Sequence, residues 1–157
     1  MRLRGAGLWV VDGHILMEST RGHDLWGVVG GGVQAGESAD QACEREFREE
    51  VGVDVRCQRL AIVADIVIGL GDTLHREFCF YFEVAPARDV NGIPRIASQE
   101  PGLEFAWIPL AELGRVALVP PTLDVLIPRA LVGDTALYVT YDRRVHEDER
   151  QGTRIWP

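Results

Sequence analysis

The chain has 157 residues, of which 46% are hydrophobic and 25% are charged, a composition typical of one compact globular domain and unlike that of disordered or low-complexity chains. Twenty-four acidic and sixteen basic residues give a net charge of −8, which disfavours binding to a nucleic-acid polymer. Three cysteines without a C-x-x-C pair, and apolar runs too short for a signal peptide or a membrane span, predict a cytoplasmic protein without a membrane partner. Composition leaves open whether the protein is a monomer or a homodimer.

The first thirty residues predict a hairpin followed by a glycine-rich segment. Asp12-Gly13 is a turn pair between two apolar segments, so we predict a β-hairpin over residues 6–18. Gly27 and the run Gly30-Gly31-Gly32 indicate backbone that turns tightly or comes very near another group.

A helix is predicted directly after the glycines. Ser38 with Gln41 three residues later is a capping box, which marks the beginning of a helix. Gly52 is the residue type expected just after a helix ends. These signals predict a helix over residues 39–51.

The rest of the chain predicts strands, two short helices and one long loop. Alternating β-branched and aromatic residues favour strands, whereas a segment with three Pro and two Gly favours a loop, and long loops often cover or bind ligands. Residues 1–142 are predicted to form one domain. In chain order we expect a strand over 53–68, a turn at Gly71-Asp72, a strand over 76–84, a loop over 86–102, a strand over 103–108, helices over 110–114 and 121–131, a strand over 136–141, and a charged, mobile tail over 143–157.

The most specific chemical pattern lies within the predicted helix. At 100° per residue, Glu46, Glu49 and Glu50 fall within an arc of about 100°, so three carboxylates share one helical face. Such charges repel unless a cation joins them, and Mg²⁺ takes oxygen ligands and often shares substrate phosphates. A solvated acidic face is the alternative. The glycines upstream, where a carbonyl can meet a metal, favour a site for a diphosphate and a metal.

The spacing of these residues also matches a known signature. Gly31, five residues, Glu37 and seven further residues precede the sequence Arg45-Glu46-Phe47-Arg48-Glu49-Glu50-Val51-Gly52-Val53. This segment resembles the Nudix box of the Nudix hydrolases, and similar flanking sequences extend the resemblance over residues 5–115. The resemblance implies an α+β Nudix fold, an α/β/α sandwich with a mixed central sheet and the Nudix loop-helix-loop.

The resemblance also implies roles for individual residues. Glu37 and Arg45 are expected to pair as a brace that holds the loop to the helix. Mg²⁺ is the expected cofactor, with Mn²⁺ as an alternative, and which carboxylate acts as the general base stays open. The expected metal ligands are Glu46, Glu49, Glu50 and the backbone of Gly31, and Glu46 and Glu49 are also candidate bases.

Further carboxylates outside the box are candidates for catalysis. Glu77 begins a strand that borders the catalytic cleft in relatives, so it is either an extra ligand or base, or a surface acid. Glu100 and Glu104 lie near the end of the long loop, where some Nudix enzymes keep their general base.

Substrate-binding candidates are fewer. Arg21 lies in a loop where a cation can meet phosphate, with an ordinary exposed arginine as the alternative. Phe80, Phe82 and Trp107 can stack on a base or pack in the core.

The expected reaction is attack of water on phosphorus in a nucleoside diphosphate linked to a group X. Nucleoside or deoxynucleoside triphosphates are the favoured substrates, and dinucleoside polyphosphates, ADP-ribose and nucleotide sugars are alternatives. A nucleotide-sensing module without catalysis is a second hypothesis, which the intact set of acidic residues disfavours. Isomerase chemistry on a diphosphate ester is a third.

Overall fold

A computed structural model describes residues 1–70, 73–142 and 153–156. None of the helices in these three ranges is long and apolar enough to cross a membrane. The strands are β1 (Arg2–Leu8), β2 (Val10–Val11), β3 (His14–Thr20), β4 (Gly27–Val28), β5 (Gly30–Gly32), β6 (Val55–Leu70), β7 (Thr73–Pro86), β8 (Leu103–Pro109), β9 (Leu137–Asp142) and β10 (Arg154–Trp156). The helical segments are α1 (Ala39–Glu46), a π-helical turn (Phe47–Val51), a 3-10 helix (Leu110–Arg115) and α2 (Leu123–Val132).

Two sheets organise the molecule. The larger sheet has the strand order β10-β9-β6-β7-β1-β5, in which β1 runs parallel to β7 and β6 runs parallel to β9. The other neighbours in this sheet are antiparallel, so the sheet is mixed, as predicted. In the smaller sheet, β3 pairs with β2, β4 and β8.

The larger sheet lies between two helical layers, which confirms the α/β/α arrangement. On one face, α1 and the π-helical turn bury Cys43, Phe47 and Val51 against the sheet. On the other face, α2 packs into a core that also contains residues of β3 and β8. Helix α1 comes very close to β1, since a Cβ at Gly5 would lie 1.9 Å from the carbonyl oxygen of Ala39.

The predicted hairpin forms only around its turn. Asp12 and Gly13 both have positive φ, at 47° and 73°, and β2 pairs with β3 on either side of them. Residues 6–8, however, do not belong to this hairpin. They continue β1, which pairs with β5 and β7 in the larger sheet, because the chain changes sheet between residues 8 and 10.

The predicted helix over 39–51 is helical throughout, but its geometry changes at Phe47. The capping box is present, with the Ser38 N–H donating to Gln41 Oε1 over 2.9 Å. After Glu46 the helix widens into a π-helical turn, in which the N–H of Gly52 donates to the carbonyl of Phe47, five residues earlier. Gly52 then ends the helix in the left-handed conformation, as its position predicted.

The long loop contains no strand or helix, and it is tied to the rest of the fold. β7 extends to Pro86, so the loop spans residues 87–102. The Trp107 indole donates to the carbonyl of Pro94 over 2.8 Å. The N–H of Gln99 donates to the carbonyl of Glu50 over 2.8 Å. The loop therefore covers the end of the helix that carries the glutamates.

The remaining elements agree in type with the sequence predictions and differ at their ends. Helix α2 starts at Leu123, two residues later than predicted, with Thr122 as its N-cap. The predicted turn at 71–72 lies outside the described residues, as do positions 143–152 and 157 of the predicted mobile tail. The described part of that tail contains β10, which pairs with β9.

Candidate active site

The glycine strand and the glutamate helix meet at Gly31 and Glu46. A Cβ at Gly31 would lie 2.0 Å from Glu46 Oε1, so this position accommodates only glycine while Glu46 keeps its place. The Glu46 side chain is only 14% exposed. The structure thus brings together two of the residues predicted to hold a metal.

Arg45 joins the loop before the helix to the helix itself. Its guanidinium donates to both carboxylate oxygens of Glu37, over 3.1 and 2.9 Å, and to the carbonyl of Gly32 over 3.0 Å. The N–H of Gln34 donates to Glu37 Oε1 over 2.7 Å. The hydrogen bonds from Arg45 hold the pKa of Glu37 below its ordinary value, and those same bonds raise the pKa of Arg45. The geometry is that expected of a brace.

The same arginine also contacts two of the box glutamates. One terminal nitrogen donates to Glu46 Oε1 over 2.6 Å and to Glu49 Oε2 over 3.0 Å. Glu49 is the more open of the two, with 54% of its side chain exposed. We call Arg45, Glu37, Glu46 and Glu49 the Arg45 cluster.

Glu50 points to a different partner. Its carboxyl group contacts that of Glu18 on β3, and we call these two residues the Glu18–Glu50 pair. Arg4 donates to Glu18 Oε1 over 3.2 Å and also to the carbonyl of Gly30. The Oε2 atoms of Glu18 and Glu50 are both buried and have no hydrogen-bond partner among the residues that the structure describes. The three box carboxylates therefore share one helical segment without converging on one point.

Burial dominates the electrostatics of this pair. It raises the pKa of Glu50 to about 9, and the neighbouring charge of Glu18 adds to the effect. Burial also raises the pKa of Glu18, against the opposing influence of Arg4. In the described part of the chain, Arg4 forms an ion pair with Glu18, and no basic side chain pairs with Glu50.

A cleft opens beside the Glu18–Glu50 pair. Its volume is about 320 Å³, which falls within the range of small-molecule sites. Arg4, Glu18 and Glu77 supply charged groups, and most of the remaining wall is apolar. The lining consists of Arg4, Glu18, Ser19, Thr20, Leu25, Gly27, Val28, Ile66, Glu77, Cys79, Tyr81, Leu103, Val119 and Pro120.

The donor set fits a hard divalent cation. The available ligands are carboxylate oxygens, and two of them are buried without a partner, which is costly unless a cation or proton satisfies them. Across residues 1–70, 73–142 and 153–156, no three His, Cys, Asp or Glu side chains are already grouped as metal ligands. This agrees with the different partners of the box glutamates, because Glu46 and Glu49 bind Arg45 whereas Glu50 contacts Glu18.

The predicted carboxylates outside the box occupy different places. Glu77 lines the cleft and lies 3.5 Å from the guanidinium of Arg2. Glu104 accepts a hydrogen bond from the N–H of Gly22 over 3.2 Å and does not line the cleft. Glu100 is exposed, and its charge contributes to the raised pKa of Glu50.

The predicted substrate-binding side chains lie away from the cleft. Arg21 donates to the carbonyls of Pro101 and Leu103, so its guanidinium fastens the end of the long loop. Phe80 and Phe82 alternate with Cys79 and Tyr81 along β7, and only the latter two line the cleft.

Phe82 and Trp107 pack instead against the core beneath α1. Trp107 also contacts Trp9, with 5.0 Å between ring centroids. Core packing, the alternative weighed for these aromatic residues, therefore describes Phe82 and Trp107. The alternation of β7 places Phe80 and Phe82 on the face of the sheet opposite to Cys79 and Tyr81, so their stacking on a base stays a prediction.

Sequence reasoning missed Arg4 and Glu18. The available signal was an acid directly after Ile15-Leu16-Met17, all three of which are completely buried. A lone charge at the end of such a run indicates a partner, because burying an unpaired carboxylate is costly. The partner itself lies fourteen residues away, so no local pattern identifies Arg4.

Comparison with solved structures shows the fold. The mutator protein MutT from Bacillus halodurans is 20% identical, over 99% of this chain and 97% of that one, with a TM-score of 0.75. A Nudix hydrolase from Nitrosomonas europaea is 22% identical over 86% and 91% of the two chains, with a TM-score of 0.64. An ADP-ribose pyrophosphatase from Streptococcus suis is 16% identical over 87% and 96%, with a TM-score of 0.61. The class is thus that of the Nudix fold.

The sequence match defines the family. Residues 1–130 match the model of the NUDIX domain, which is most of the chain. The chain therefore belongs to the Nudix hydrolase family, whose box lies at residues 31–53. As a Nudix hydrolase it acts on pyrophosphate bonds.

Proposed function

We propose that this protein hydrolyses a nucleoside diphosphate linked to a group X, with Mg²⁺ or Mn²⁺ as cofactor and a nucleoside or deoxynucleoside triphosphate as its preferred substrate. The observation that carries the proposal is the cleft of about 320 Å³ that Glu18 lines, next to the buried, unpartnered oxygens of the Glu18–Glu50 pair. Its apolar walls suit a flat base, and its charged end suits phosphates bound through a cation.

The residues proposed to hold the cation are Glu46, Glu49, Glu50 and the backbone of Gly31. The chemistry supplied by a bound divalent cation is neutralisation of the phosphates and activation of a water nucleophile. The chain supplies the orientation, because Glu46 is packed on Gly31 and Arg45 fixes the loop through Glu37.

A carboxylate must also accept the proton of the attacking water. Glu49 is the more open candidate in the box, with 54% of its side chain exposed, and Glu46 beside it is only 14% exposed. Glu77 lines the cleft and is the alternative outside the box, whereas Glu104 is occupied by the N–H of Gly22. We propose Glu49 or Glu46 as the base, with Glu77 and then Glu104 as alternatives.

Several substrate classes remain to be separated by experiment. The structurally similar proteins include an ADP-ribose pyrophosphatase, so ADP-ribose belongs in the comparison with triphosphates. Dinucleoside polyphosphates and nucleotide sugars complete the set.

The three cysteines are free thiols, which supports the proposed cytoplasmic location.

The test is hydrolysis of this substrate set with Mg²⁺, with Mn²⁺ and with a chelator. Products are identified by mass spectrometry in ¹⁸O-labelled water. A triphosphate is expected to give a nucleoside monophosphate and pyrophosphate, with ¹⁸O in the product whose phosphorus the water attacked. Glu112→Gln, at an exposed site outside the cleft, is the matched control for Glu49→Gln, Glu46→Gln and Glu77→Gln. Tight binding of nucleotides without product under every metal condition would favour the sensing module instead.

A further inference from the structure

Glu18 is a carboxylate of the site that lies outside the Nudix box. It belongs to β3, directly after the buried residues Ile15, Leu16 and Met17. Only 14% of its side chain is exposed, and it lines the cleft. A carboxylate in such a position costs free energy unless its oxygens find partners.

The two oxygens of Glu18 have different surroundings. Oε1 accepts a hydrogen bond from Arg4, which also donates to the carbonyl of Gly30. Oε2 is buried without a hydrogen-bond partner among the described residues, and so is Oε2 of Glu50, whose carboxyl group contacts that of Glu18. Arg4 thus fixes the orientation of Glu18 and leaves its second oxygen unpartnered beside a residue of the box.

The charges around the pair also favour a bound cation. Arg45 forms ion pairs with Glu46 and Glu49, whereas Arg4 forms an ion pair with Glu18. Two neighbouring carboxylates beside one arginine carry an excess negative charge, which a further positive charge would neutralise. A hard cation bound between them would give both unpartnered oxygens a ligand bond.

We propose that Glu18 is a further metal ligand of this enzyme, which binds the catalytic cation through Oε2 together with Glu50. Arg4 is then a positioning residue that holds Oε1 and links Glu18 to the glycine strand. The metal site spans β3 and the helix, so it includes a carboxylate that the box does not contain. This inference rests on the proposed metal dependence.

The test measures Mn²⁺ binding without substrate, from the electron paramagnetic resonance signal of free Mn²⁺. Wild type, Glu18→Gln, Glu50→Gln and the exposed control Glu112→Gln are compared. We expect Glu18→Gln and Glu50→Gln each to raise the Kd by about tenfold or more, because each loses a charged ligand. Glu112→Gln should stay within about twofold of wild type.

The pattern across variants separates the two proposals. If Glu50→Gln weakens binding and Glu18→Gln does not, the inference is overturned, and the two carboxyl groups share a proton instead. If neither variant weakens binding, the proposed metal site itself is wrong. Circular dichroism verifies folding, and should Glu18→Gln not fold, Glu18→Asp replaces it. The aspartate withdraws the oxygens by one methylene, so unchanged affinity in that variant also overturns the inference.

Discussion

The Arg45 cluster and the Glu18–Glu50 pair lie next to each other, and both bring carboxyl groups close together. They differ in how the negative charge of these groups is compensated. In the Arg45 cluster, one guanidinium hydrogen-bonds three carboxylates and the carbonyl of Gly32. In the Glu18–Glu50 pair, Arg4 contacts Glu18, and each carboxyl group keeps a buried oxygen that has no hydrogen-bond partner among the described residues. The first group is satisfied by the chain alone. The second needs a proton or a cation from outside.

This difference shows that residues adjacent in sequence can have opposite roles in stability. Glu49 and Glu50 are neighbours, yet Glu49 contacts Arg45 and Glu50 contacts Glu18. Removing charge from the Arg45 cluster should lower stability, whereas Glu50→Gln should cost little stability without metal, because burial already raises the pKa of the Glu50 carboxyl group to about 9.

The largest effect is expected for Glu50→Gln. Turnover should fall by at least about a hundredfold at saturating Mg²⁺, because the site loses one metal-binding charge and its catalysis is mainly electrostatic. In metal-free buffer the thermal midpoint should stay level or rise, since the new amide N–H can donate to Glu18 Oε2. Turnover and thermal midpoint are measured on the same preparation, and near-normal turnover would contradict the assignment.

Arg45→Ala should act in the opposite direction on stability. Turnover should fall by about tenfold or more, because the loop before the helix is no longer held in place. The thermal midpoint in metal-free buffer should fall as well, because three carboxylates lose their counterion. A double-mutant cycle of Arg45→Ala with Glu37→Gln, followed by urea unfolding, should show non-additive coupling. Strict additivity would mean that this contact contributes nothing to holding the loop.

The pH dependence of metal-free stability is a smaller effect. Because the pKa of Glu50 is raised from 4.5 to about 9, the folded protein retains a proton that the unfolded chain releases in this range. The free energy of unfolding should therefore fall as pH rises from about 4.5 towards about 9, and level off above that. Urea unfolding in chelator, at about pH 5.5 and about pH 8.5, measures the slope. An equal slope in Glu50→Gln would exclude Glu50 as its source.

The smallest effect on substrate binding is expected at Phe82. Phe82→Leu should lower the thermal midpoint and leave KM unchanged, because Phe82 packs in the core on the helix side of β7. Tyr81→Leu is the matched variant, one residue away on the face that lines the cleft, and it should raise KM several-fold. Equal changes in KM for the two variants would contradict this assignment of faces.

Local signals in the sequence predicted much of the fold and part of the site. The capping box at Ser38, the turn at Asp12-Gly13 and the helix end at Gly52 each depend on a few adjacent residues, and each is confirmed. The Nudix box likewise lies within one continuous segment. Its residues Gly31 and Glu46 meet because the helix directly follows the glycine strand.

What the sequence could not predict depends on distant pairing. Glu18 and Arg4 become neighbours only when β3 and β1, which belong to different sheets, are brought together. The face to which Phe80 points follows from the register of β7 on β1, which is not encoded locally. The change to π-helical geometry at Phe47 is also invisible to a helical wheel that assumes 100° per residue.

That π-helical turn makes the chain behave as though one residue had been inserted into a regular helix. Deletion of a single residue between Phe47 and Val51 would restore regular α-helical geometry. The helical residues before the deletion would then be rotated by about 100° relative to those after it. The variant would gain a more regular helix, yet Glu49 or Glu50 would lose its present neighbour. In this enzyme, therefore, an extra residue in the backbone divides the glutamates between two different partners.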